Sequence, residues 1–130
     1  MRLILLATLF ASFAAAQALD FETYKTTVEP IFVKKRAGHA RCVACHSASN
    51  NRFKLQPLAE GATWTDDQSR MNYESVKKLV NTKDPKASPL LMHPLAKEGG
   101  GDEFHSGGRQ FMSMDDPDWK AMAAWVGAGE

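Results

Sequence analysis

Apolar positions along this 130-residue chain change their rhythm several times, and each change marks a boundary. Leu3 to Phe10 is an almost unbroken apolar run behind Arg2, and a small-residue stretch follows it, ending Ala16-Gln17-Ala18. One positive charge, a short apolar run and an A-x-A site make the pattern of a cleavable export leader, and the run falls short of the roughly 20 residues a spanning helix needs. Residues 1–18 are therefore read as a leader removed after Ala18, and 19–130 as the mature chain. From there Phe21, Tyr24, Val28, Ile31 and Phe32 recur at near-helical spacing behind Asp20, which predicts a helix over about 20–36. Pro30 lies inside it and cannot donate a backbone bond, so either a kink or a helix proper starting near Pro30 is expected, with Gly38 beyond its end.

Residues 47–70 hold no sustained period and are rich in Ser, Asn, Gly, Pro and Asp, which reads as loop with Phe53, Leu55 and Leu58 beneath it. Tyr73, Val76, Leu79 and Val80 share a face and predict a helix over about 72–81, with Asn72 as its cap. A short turn should open at Ser88-Pro89 and stop at His93-Pro94. Gly99-Gly100-Gly101 makes the stretch from Glu98 to Asp116 a loop. The last helix is the best signalled: Asp116 caps it, Pro117 opens it, Trp119, Met122, Ala123 and Val126 form one face, and Gly127 ends it. The pattern predicts an all-α single domain of about three to four helices with long loops, and such loops need a body to pack on.

Charge narrows the function classes. Sixteen basic and fifteen acidic side chains leave a net charge of +1, so wholesale binding to nucleic acid or to an anionic membrane is not indicated. No second apolar segment is long enough to hold the mature chain in a membrane. Lys25, Lys34, Lys35, Arg36, Arg41, Arg52 and Lys54 make one region basic, whereas Asp102, Glu103, Asp115, Asp116 and Asp118 make a later one acidic. These are solvated faces, or the basic region is a docking patch for an acidic partner. No nucleophile triad, phosphate loop or paired-carboxylate arrangement stands out, so no enzymatic activity is expected.

The chemistry is concentrated in Cys42-Val43-Ala44-Cys45-His46, which contains both of the chain's cysteines. Two cysteines three apart can form thioethers with the two vinyl groups of a porphyrin, and the histidine directly after the second can turn its imidazole to the iron. One covalent haem c per chain is expected, with His46 as the proximal ligand. Three other chemistries use these residue types. A Cys42–Cys45 disulfide would close a tiny loop and constrain the unfolded chain little. A thioredoxin-like pair wants a βαβ setting, which the pattern lacks. Zinc on Cys42, Cys45, His39 and His46 would have to use adjacent Cys45 and His46 in a cramped tetrahedron.

With these residues in hand, the chain resembles class I c-type cytochromes, and among them the planctomycete-type cytochrome c domain family. The resemblance rests on Val28-Glu29-Pro30-Ile31-Phe32 ahead of the haem motif, on Ser88-Pro89-Leu90-Leu91, on His105-Ser106-Gly107-Gly108, and on Asp115-Asp116-Pro117-Asp118-Trp119 leading into a helix that ends Ala124-Trp125-Val126. It implies a cytochrome c-like fold in which the first and last helices cross and help to form a haem pocket. Phe32, Leu55, Leu58, Leu90 and Leu91 are candidates to line that pocket, with Trp125 in the core beside it. The distal ligand of the family lies on a loop shortly before the last helix, which favours His105. Met112 and Met114 are the alternatives, and Met92, His93 and His39 are further candidates. The function implied is single-electron transfer between redox partner proteins by an exported, periplasmic carrier. A haem-based sensor, a small peroxidase-like enzyme with a displaceable sixth ligand, and an electron-donor subunit of a larger exported oxidoreductase are the competing readings.

Overall fold

Asp20 opens the first helix as its position predicts: its carboxylate accepts the Thr23 amide at 2.7 Å and the Thr23 hydroxyl at 2.9 Å. The structure, a computed structural model, describes residues 18–48, 50–105 and 108–129. The expected leader up to Gln17 lies outside them, as do Ser49, Ser106, Gly107 and Glu130.

Helix α1 runs over 21–33, with α-helical ends, Phe21–Thr23 and Glu29–Val33, and a π-helical middle, Tyr24–Val28. The Glu29 amide donates to the Tyr24 carbonyl, five residues back rather than four. Pro30 has no amide to donate, and the widened turn just ahead of it absorbs the mismatch. The expected kink therefore takes the form of a π-turn. Lys34 is extended, so the helix stops short of the expected residue 36.

Helix α2, Cys42–His46, is little more than one turn. Helix α3, Asp66–Lys77, corrects the sequence reading at both ends. It begins at a capping box, in which the Gln68 amide donates to Thr65 Oγ1 at 3.3 Å and the Thr65 amide to Gln68 Oε1 at 3.0 Å. Asn72, expected as its cap, is instead buried inside it and accepts the Gln56 amide at 2.7 Å. Leu79 and Val80 lie past its end in tight turns on the Val76 and Lys77 carbonyls. Helix α4, Pro89–Met92, and helix α5, Pro117–Val126, fall where they were expected. The Ser88 hydroxyl, however, accepts the Asn81 amide rather than capping α4.

Among the described residues the regular structure is helical, with short 3₁₀ turns and one isolated bridge between Leu95 and Phe111. The described residues are thus all-α. No described helix is long and apolar enough to cross a membrane. Tyr24, Val28 and Phe32 of α1 join Val76, Leu91, Met122 and Trp125 in one core, each such side chain contributing about 1.5–3 kcal/mol by leaving water. The first and last helices pack together: the Leu19 amide donates to the Trp125 carbonyl, and the Trp125 indole to the Asp20 carbonyl, both at 2.9 Å. Glu29 is buried with them, accepting Ser69 Oγ at 2.6 Å and Asn72 Nδ2 at 3.5 Å, so α1 and α3 share a polar clamp inside the apolar core.

The triple glycine serves the chain itself. A Cβ on Gly99 would lie 2.6 Å from the Met112 carbonyl oxygen, and one on Gly101 would overlap the Leu95 carbonyl oxygen. The loop that leads to His105 therefore threads between two other segments of backbone, a passage only glycine permits.

Candidate functional site

The turn of α2 brings Cys42, Cys45 and His46 onto the wall of a cavity of about 880 Å³, within the roughly 300–1,000 Å³ common for small-molecule and cofactor sites. Segment 93–111 contributes His93, Phe104 and His105 to the same cavity, and Phe32, Leu90 and Met122 supply apolar lining. No disulfide joins Cys42 and Cys45. Burial pushes the Cys42 thiol up to about 11, a rise that the Arg36 charge opposes without cancelling. A reactive Cys-X-X-Cys pair needs the opposite, a thiol pKa lowered toward neutral.

The two cavity histidines are held in the same way. His46 Nδ1 lies 2.9 Å from the Phe53 carbonyl and 3.1 Å from Asn51 Oδ1. His105 Nδ1 lies 2.7 Å from the carbonyl of Gly108, whose φ of +91° suits glycine. A carbonyl only accepts, so each Nδ1 carries a proton, and in the neutral form of the ring the lone pair is then on Nε2. Backbone fixing of one ring nitrogen so that the other can bind a metal is the usual support of a histidine ligand. The ring centroids of His46 and His105 are 6.3 Å apart, with an interplanar angle of 31°. Burial lowers the His105 pKa below the ordinary value of 6.5; the Gly108 carbonyl opposes this, and the His46 charge adds to it. The His105 imidazole is accordingly neutral at pH 7, the form that ligates.

The other residues singled out from the sequence divide clearly. Phe32 and Leu90 line the cavity, whereas Leu55 and Leu91 are buried in the core and Leu58 packs against it, none of the three among the lining residues. Met112 is 69% exposed and borders a separate groove of about 530 Å³ together with His39 and Asp116. Met114 is also exposed, with its methyl group beside Gly100. Neither methionine lines the cavity, because the bridge at Phe111 turns that side chain inward and leaves 112–114 outside. Met92 packs against the core, while His93 lines the cavity and pairs with the Asp102 carboxylate. Among the described residues no three His, Cys, Asp or Glu side chains gather around a common centre.

Two parts of the site were not legible beforehand. Phe53 packs on the His46 ring at 4.3 Å between centroids and a tilt of 36°, a contact made by the fold of the loop that leads to it. Part of the region read as a basic patch is engaged: Lys34 pairs with Asp118 at 2.7 Å, and Arg36 pairs with Asp116 at 3.0 Å and also with Asp118. The basic and acidic regions of the sequence thus meet each other. Compared with protein-family models, curated proteins and solved structures, the chain matches none.

Proposed function

We propose that this protein is an exported monohaem c-type cytochrome, of the class I kind, that carries single electrons between redox partners. The observation that carries the reading is the facing pair His46 and His105 in the cavity that also holds Cys42 and Cys45. Two imidazoles bound to one metal at about 2 Å, with about 1 Å more from each nitrogen to its ring centre, place the centroids about 6 Å apart. The observed 6.3 Å fits a metal between them. Haem held by thioethers at Cys42 and Cys45 and ligated by His46 and His105 would supply a one-electron ferric/ferrous couple.

The chain's own residues account for the rest. The Phe53 and Gly108 carbonyls hold the two imidazoles in the ligating tautomer. Phe32, Leu90 and Met122 give the cavity an apolar part of its lining. A metal held by both His46 and His105 would have no position left for a substrate, which favours a carrier over a sensor or a peroxidase. Two histidines also favour a lower potential than a His/Met pair.

The test is an optical spectrum of the purified protein in both redox states, with haem staining on a denaturing gel. His105→Ala should remove one of the two proposed ligands, shift the spectrum and allow carbon monoxide to bind the reduced form. Met112→Leu and Met114→Leu should leave the spectrum alone. Carbon monoxide binding to the unaltered protein would move the assignment to a sensor or peroxidase. A red charge-transfer band lost in Met112→Leu or Met114→Leu would give the distal role to methionine.

A further inference from the structure

We infer that removal of the leader turns Leu19 into a cationic cap on the last helix, its new α-ammonium group bound at the C-terminal end of α5, an inference that rests on the export reading of residues 1–18. Leu19 is tied down where chain ends usually fray. Its amide donates to the Trp125 carbonyl at 2.9 Å, its carbonyl accepts the Tyr73 hydroxyl at 2.7 Å, and its side chain packs against the core. The Gly127 and Ala128 amides take the Ala124 and Ala123 carbonyls, and Leu19 takes the next one, that of Trp125. The last turn of α5 holds no basic side chain. The proposed cleavage point is thus bonded to the negative end of a helix dipole that has no cation of its own.

The backbone gives a second, independent reason. Leu19 has a φ of +62° and is the only residue besides glycine with a positive φ among the described residues. That angle crowds the Leu19 Cβ against the Ala18 carbonyl. Hydrolysis of the Ala18–Leu19 amide consumes one water: its oxygen joins the Ala18 carbonyl carbon, the C–N bond breaks, and Leu19 leaves with an amine that is protonated at neutral pH. The crowding goes with the Ala18 carbonyl, and an ammonium replaces the amide at Trp125. A cation just ahead of α1 is unfavourable, but the adjacent Asp20 carboxylate, which caps α1, and Glu22 in its first turn offset it. On α3, Arg70 lies over the Phe21 ring and Lys77 over the Tyr73 ring, in the chain before and after cleavage alike. The domain is therefore at its most stable only once it has been exported and processed.

The experiment compares two haem-bearing preparations: the protein exported with its own leader, and a chain whose leader is moved so that processing leaves Ala16-Gln17-Ala18 on Leu19. Intact mass gives the first residue, and thermal unfolding by circular dichroism gives Tm. At pH 6 the chain that starts at Leu19 should melt about 5 °C higher. An α-amine ordinarily loses its proton near pH 8, so raising the pH to about 9.5 should remove about 2 °C of that gap. Leu19→Gly should narrow what remains, because glycine adopts positive φ freely. Equal melting at pH 6, a gap that does not change with pH, or one that Leu19→Gly leaves intact overturns the inference. Processing at another bond, or none, overturns the leader boundary with it. A chain that starts at Leu19 and shows no gap overturns only this inference.

Discussion

Replacing Asp116 by Ala removes the start of α5 and one end of a brace across the site. Asp116 Oδ1 accepts the Asp118 amide at 2.9 Å and the Trp119 amide at 3.4 Å, and its two oxygens take the Arg36 guanidinium at 3.0 and 3.1 Å. Losing an N-cap costs about 1 kcal/mol. A charge-assisted pair whose side chains are 18% and 22% exposed adds about as much. Arg36 keeps Asp118 and its place over the Phe111 ring, which limits the damage. The expected loss is about 2 kcal/mol, or about 8 °C in Tm for a domain of this size. Asp116→Asn retains a cap oxygen and loses only the charge, so about 1 kcal/mol is expected. Thermal and urea unfolding followed by circular dichroism measure both.

The pH dependence supplies an internal control. Partial burial by itself would raise the Asp116 pKa, but the Arg36 guanidinium and the helix amides outweigh it, and the pKa falls below the ordinary 3.8. A carboxylate with a depressed folded-state pKa contributes its stability above the unfolded-state value and loses it as pH falls through the folded-state one. The gap between the unaltered protein and Asp116→Asn should thus be complete above about pH 5 and close below about pH 4. A loss under about 0.5 kcal/mol in Asp116→Ala, or equal losses in the Ala and Asn variants, would refute the division between cap and ion pair.

Cys42→Ser/Cys45→Ser should abolish haem staining on a denaturing gel and leave a poorly folded chain by circular dichroism; full staining would sink the covalent assignment. Gly101→Ala should destabilise by about 1–3 kcal/mol, because its Cβ meets the Leu95 carbonyl, and it should disturb the His105 spectrum as the loop shifts; unchanged stability and spectrum would show that the loop is not constrained there. Ser69→Ala removes the 2.6 Å donor from the buried Glu29 carboxylate and should cost about 1–3 kcal/mol in urea unfolding, whereas an unchanged midpoint would mean that Glu29 is satisfied without it.

The sequence by itself determined the elements whose signals are local. Asp116, Pro117 and Gly127 bound the last helix because capping acts within a few residues, and Pro30 marks a disturbance in the first because a missing amide acts on its own turn. The Thr65-x-x-Gln68 box was equally local and was readable, but the polar run around it pointed to loop, and the start of α3 was missed. The pairing of Cys42, Cys45 and His46 on one turn was legible for the same reason. Which side chains from elsewhere reach that turn was decided only by tertiary structure. His105 faces His46, and Met112 does not line the cavity, because Gly99 and Gly101 allow the loop to pass Leu95 and Met112 while the Phe111 bridge fixes which side of the chain turns inward. The sequence shows charges as runs along the chain, but ion pairs form across space. Arg36 and Asp116, 80 positions apart in the sequence, pair in space, whereas Arg41 and Arg52 of the same basic region line the cavity with no ion pair among the described residues.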